Sequence, residues 1–171
     1  AYLAHLVIPA IEQRAGARFE YVPVLLGGVF KATGNVSPAV SLRGIKNKPE
    51  YQALETQRFI RRHNATKFRQ NPFFPVNTLM LMRGAVAARF EGVFEPYFRA
   101  AYHHMWEEPK KMDDLEIFRN AFISSGIDID RLIARAHQDD VKKGLIDRTT
   151  DAVNRGAFGS PTFFVGTEMF F

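Results

Sequence analysis

The sequence predicts an α/β fold in which a small α/β unit is interrupted by a large all-helical insertion. Three observations carry this. The chain opens with apolar residues at helical spacing and runs straight into an aromatic, β-branched stretch. From Glu50 to Arg155 one helical period follows another. The chain then closes on Gly156-Ala157-Phe158-Gly159-Ser160-Pro161 and two short strand-like segments. The expected division is residues 1–48 with 156–171 for the α/β unit and 49–155 for the insertion.

In order along the chain, Leu3, Leu6, Val7, Ile8, Ile11 and Ala15 mark a first helix that stops at Gly16. Phe19 to Leu26 reads as a buried strand entering a Gly27-Gly28 turn, and Val29 to Pro49 as an ordered loop. Helices are expected over Tyr51–His63, Asn77–Glu91, Phe94–Trp106, Asp113–Ser124, Asp128–Asp139 and Val141–Asn154. Asn77, Asp113 and Asp128 are candidate caps, because a short polar side chain can accept a free N–H of the first turn. Thr162–Val165, a Gly166-Thr167 turn and Met169-Phe170-Phe171 read as a hairpin.

Composition narrows the function classes. The 171 residues are 46% apolar and 24% charged, which excludes disordered and low-complexity chains. No apolar run approaches the roughly 20 residues of a membrane span, and no export signal is visible, so no membrane partner and a cytoplasmic location are expected. A net charge of +5 is too thin for nucleic-acid recognition, and the basic stretch Arg58, Arg61, Arg62, Lys67 and Arg69 reads as a solvated helix face. There is no cysteine, hence no thiol nucleophile and no thiolate metal site in these residues. His103-His104 with Glu107-Glu108 forms two His/Glu pairs at i, i+4 without a third ligand close by, so no metal is expected. Phe90, Phe94, Tyr97, Phe98, Tyr102 and Trp106 recur at helical spacing and read mostly as core.

Three stretches carry a family resemblance: LGGVFKATGNVSP at Leu26–Pro38, FFPVNTLMLMR at Phe73–Arg83, and GAFGSPTFFVGTEMFF at Gly156–Phe171. They resemble the 2-hydroxychromene-2-carboxylate isomerase family, relatives of kappa-class glutathione transferases and of DsbA. The resemblance implies a thioredoxin-like fold with a helical insertion, a glutathione site at the thioredoxin-like end, an aromatic-substrate pocket against the insertion, and a homodimer. Ala1-Tyr2-Leu3-Ala4 resembles the tail of an S-P-x-S-Y-L-A turn, so a first strand and a catalytic serine are expected upstream of Ala1, and the chain is expected to be incomplete at both ends.

The same resemblance implies roles for particular residues. A cis peptide is expected at Ser160-Pro161, with the Ser160 backbone pairing with the extended backbone of glutathione, as in strand addition. Asn35 is expected to contact glutathione, and Phe171 to wall the site where the family more often shows tryptophan. Lys31 and Asn77 are expected on the substrate side, Lys31 against a carboxylate or carbonyl oxygen. The implied activity is glutathione-dependent isomerisation of an aromatic unsaturated keto acid, or a kappa-type transfer. Two alternatives stay open: a DsbA-like thiol-disulfide oxidoreductase, and a non-catalytic thioredoxin-like binding protein.

Overall fold

The computed structural model describes residues 1–42 and 44–171. Helix α1 (Tyr2–Ala15) ends where Gly16 takes φ 64° and donates its N–H to the Glu12 carbonyl, a left-handed cap that glycine adopts without steric cost. Then come α2 (Leu26–Thr33), α3 (Pro38–Ser41), α4 (Lys48–Arg62), α5 (Leu79–Phe90), α6 (Phe94–Trp106), α7 (Leu115–Ser124), α8 (Ile129–Ala136) and α9 (Asp139–Asn154). Strands β1 (Phe163–Val165) and β2 (Glu168–Phe170) form an antiparallel hairpin in the register Phe163 with Phe170, Phe164 with Met169 and Val165 with Glu168. Among the described residues no helix is long and apolar enough to cross a membrane.

The core lies among α5 to α9. Helix α5 buries Leu81, Gly84, Ala85, Val86, Ala87 and Ala88, and these mostly small side chains let α6, α8 and α9 close upon it. The Tyr97 ring of α6 stacks on Phe122 of α7 with centroids 4.6 Å apart, and its hydroxyl donates to the Leu81 carbonyl at 3.0 Å. Phe118 tilts against Phe122 at 4.8 Å. Of the sequence's aromatic series, Tyr97 and Phe98 are buried, whereas Phe90 lies exposed beneath the Arg135 guanidinium. Helix α4 contributes no buried side chain.

Two local expectations are corrected. Phe19–Leu26 does not pair into a sheet: residues 17–25 run between α1 and α2 and join neither strand. The groups that a ladder would use are taken by side chains. The Phe19 N–H donates to the Glu12 carboxylate, the Tyr21 carbonyl accepts from the Arg89 guanidinium, and the Leu25 N–H donates to the Thr149 hydroxyl. Phe19 meets β1 through its ring, 5.7 Å from that of Phe163.

Val29–Pro49 is not a continuous loop either, since it holds most of α2, all of α3 and the start of α4. The Gly27-Gly28 pair is the reason α2 was not legible. Gly28 makes no turn but allows close approach of α2 to α9, where an added Cβ would stand 3.2 Å from the Thr149 methyl group. Tertiary packing here overrides the glycine pair's turn propensity.

Candidate functional site

Helix α2 ends at Gly34, whose φ of 68° and N–H to the Phe30 carbonyl stop the helix and turn out Asn35. The Asn35 amide donates from Nδ2 to the Phe158 carbonyl at 2.7 Å, and its Oδ1 accepts the Val36 N–H at 2.8 Å. Asn35 thereby ties the end of α2 to the loop that enters β1, across more than a hundred residues of chain. The Phe158 ring packs on Phe171 at 4.5 Å, and Phe171 in turn covers Gly159, where a Cβ would come 2.8 Å from its ring. A larger residue at 159 would displace that aromatic ring. The Thr162 hydroxyl donates to the Gly159 carbonyl at 2.9 Å, which braces the same loop.

Ser160-Pro161 is cis, as the resemblance implied, and so is Phe74-Pro75. Among the described residues neither the N–H nor the C=O of Ser160 has a hydrogen-bond partner, and Ser160 is exposed. A pair of open backbone groups beside an aromatic wall can take an extended peptide-like ligand through main-chain hydrogen bonds. Phe171, the last residue of the sequence, is 70% exposed.

The structure therefore brings together Asn35, Ser160, Pro161 and Phe171. Lys31 is exposed on α2, one helical turn before Asn35. Asn77 is held elsewhere: its backbone N–H donates to Asp113 Oδ2 at 3.2 Å, and its side-chain oxygen accepts the Leu79 N–H at 3.0 Å. The N-cap of α5 is Thr78 and not Asn77, which supports the helix start from one residue earlier; among the described residues no hydrogen bond links Asn77 to the Asn35 cluster.

A cleft of about 550 Å³ lies instead between α1 and α6, lined among others by Tyr2, His5, Tyr102, Arg99, His103 and Glu107. The His5 ring stacks on Tyr102 at 5.0 Å, and its Nδ1 lies 2.6 Å from the Tyr21 hydroxyl. Burial, aided by the Arg99 charge, lowers the His5 pKa. Burial, with the charges of Glu12 and Glu95, pushes the Tyr21 phenol up to about 12. The Tyr2 hydroxyl donates to Glu107 Oε1 at 2.7 Å, while Glu107 Oε2 takes His103 Nδ1 at 3.0 Å. Burial opposes ionisation of Glu107, but bonds from His103 and Tyr2 outweigh it and lower its pKa.

Sequence reasoning saw His103, His104, Glu107 and Glu108 only as two pairs. The expectation that no third ligand atom lies near them is corrected: one nitrogen of His103, one of His104 and a Glu108 oxygen lie within 4.8 Å of one another. The helix ends at Trp106, and the turn after it folds Glu108 back over both imidazoles. Tyr2, Lys110 and Ser125, which complete this network, carry no local sequence signal.

The sequence and the overall fold are similar to those of known proteins. A 2-hydroxychromene-2-carboxylate isomerase from Sphingobium xenophagum is 28% identical to this chain over 179 residues, spanning 99% of the chain and 85% of the relative. A solved structure of a 2-hydroxychromene-2-carboxylate isomerase superposes with a TM-score of 0.77 at 26% identity, covering 99% of this chain and 81% of its own. The description of the DsbA-like thioredoxin domain matches residues 1–171. With an all-helical insertion set between α1 and a closing hairpin that opens on a proline, and with that match along its whole length, the chain belongs to the DsbA-like thioredoxin domain family.

Proposed function

We propose that this protein is a glutathione-dependent isomerase of an aromatic unsaturated keto acid, of the kind named for 2-hydroxychromene-2-carboxylate, working in the cytoplasm as a homodimer. One observation carries the reading beyond the family likeness: Asn35, the open backbone of Ser160 and the exposed face of Phe171 converge at the mouth of the hairpin. The residues fit the tripeptide. The Ser160 N–H and C=O would pair with its central backbone, Phe171 would wall its side, and Asn35, holding the Phe158 carbonyl, would keep the loop in place and offer its remaining amide hydrogen. Lys31, exposed a turn earlier, would draw a substrate carboxylate.

Bound glutathione would supply a thiol nucleophile that adds reversibly to the substrate's double bond, lets the resulting single bond rotate, and departs unchanged. The chain's own part is to hold the two molecules and keep the aromatic ring out of water. The cleft between α1 and α6 offers the rings of Tyr2 and Tyr102 for that purpose, with Arg99 at its edge. Dithiol exchange of the DsbA type has no cysteine within these residues to run it.

The decisive assay follows 2-hydroxychromene-2-carboxylate with and without glutathione. Conversion only in its presence is expected; conversion indifferent to glutathione, or none, overturns the reading. Asn35→Ala is expected to weaken glutathione binding by at least about 1 to 2 kcal/mol, the cost of one good polar contact, because it also releases the Phe158 loop that Asn35 ties, while the helical core stays intact. Calorimetric titration checks it, and unchanged affinity would show that Asn35 neither touches glutathione nor shapes its site. Light scattering at micromolar concentration is expected to give twice the chain mass; Leu115, Ile123 and Ile146 are large apolar side chains left on the helical surface, as an interface needs.

A further inference from the structure

We propose that His103, His104 and Glu108 form a binding site for a divalent transition-metal ion of the zinc class, a site whose resident cation in the metal-free protein is the Lys110 ammonium. Beyond the 4.8 Å grouping of their ligand atoms, the argument rests on how the two imidazoles are held. His103 Nδ1 is 3.0 Å from the Glu107 carboxylate, which itself accepts from Tyr2, so this nitrogen carries the proton and Nε2 presents a lone pair. His104 Nε2 is 3.0 Å from the Ser125 hydroxyl, whose own hydrogen goes to the Ala121 carbonyl; Nε2 is therefore the donor and Nδ1 the lone pair. Each histidine thus has one nitrogen fixed by an outer partner and the other turned inward. This carboxylate- or hydroxyl-backed arrangement is what orients imidazoles at metal centres.

The inward atoms demand a cation. His103 Nε2 lies 3.4 Å from Glu108 Oε2, two electron-rich groups face to face. Ligand atoms around a four-coordinate zinc stand about 3.3 Å apart, given zinc–nitrogen distances of about 2.0 to 2.1 Å, so this pair is already at chelating separation. The cation now facing the group is Lys110, with Nζ 2.8 Å from His104 Nδ1 and 3.6 Å from Glu108 Oε2. Its stem is long and a third exposed, so it can swing away. Two imidazoles and one carboxylate favour zinc-like ions over calcium or magnesium, which take oxygen, and Glu108 on the solvent side leaves a further position for water.

The test uses the full chain stripped with a chelator. Zinc is titrated against a chromophoric competitor, and cobalt absorption reports nitrogen and oxygen ligation. One ion per chain is expected in the micromolar range or tighter. His103→Ala and Glu108→Gln, both at accessible side chains, should each weaken it by about tenfold or more, and Glu107→Gln by about tenfold through the His103 ring. Lys110→Met, which removes the competing ammonium and keeps the stem, should tighten it. Three results overturn the proposal: no saturable micromolar binding; binding that survives His103→Ala; or an affinity not improved by Lys110→Met.

Discussion

Gly84→Ala is expected to destabilise the protein by about 3 kcal/mol, although alanine is the better helix former by about 1 kcal/mol. Gly84 lies inside α5, where a Cβ would run into the Tyr97 ring, 2.7 Å from Cζ and 3.1 Å from Cε2, and closer still to the hydroxyl oxygen. That ring has nowhere to go. It is 1% exposed, stacked on Phe122 at 4.6 Å, and tethered through its hydroxyl to the Leu81 carbonyl on the same helix. Relief requires α5 and α6 to separate, which loosens the core around Tyr97 and Phe122. Urea denaturation of the two proteins measures the difference; a variant as stable as the parent would show that the ring yields.

The second large effect is a loss of stability on acidification that passes through His104. Burial first, then the Lys110 charge, lower its pKa from 6.5 to about 4. It is 2% exposed, and both ring nitrogens are engaged, by Lys110 and Ser125. The folded chain keeps it neutral, while the unfolded chain protonates it below pH 6.5 or so. Between these values the unfolded state binds the extra proton, so stability is complete above about pH 6.5 and falls as the pH drops towards 4, by about 3 kcal/mol in all. The direction is opposite to that of a histidine that gains a carboxylate partner. Proton NMR in chelator-containing buffer should show the His104 ring untitrated at pH 5.5, and the difference in unfolding free energy between parent and His104→Gln should shrink on acidification. A His104 resonance that titrates near 6.5 would remove the basis of this expectation.

Legibility followed the range of the forces involved. Helix α6 is read from the sequence at the residues where it begins and ends, because Phe94 to Trp106 alternates apolar and polar faces without interruption. Asp128 caps α8 as expected, accepting the Arg131 N–H. At α7 the cap shifts by one residue: Asp114 accepts the first-turn N–H groups of Glu116 and Ile117, while Asp113 reaches across to the Asn77 backbone. That choice between neighbouring aspartates depends on a segment 36 residues away. The same holds for Phe19–Leu26, whose β-branched composition is real but whose backbone is taken by Glu12, Arg89 and Thr149. Asn35, Ser160, Pro161 and Phe171, proposed above to meet glutathione, are named through the resemblance alone. The Asn35 bond to the Phe158 carbonyl, which gives the cluster its shape, was not legible.

Helix α4, with fifteen residues and none of them buried, has a thermodynamic consequence. It gains little from docking, so its opening free energy is set by its own helix–coil balance and not by global unfolding. It should melt and reform many times within the lifetime of the folded core. Its amides are expected to exchange with deuterium nearly as fast as an isolated peptide's, while those of α5 wait for the whole molecule to open. Trypsin should find Arg58, Arg61 and Arg62 in those intervals, and cut there while the core of α5 to α9 is still intact.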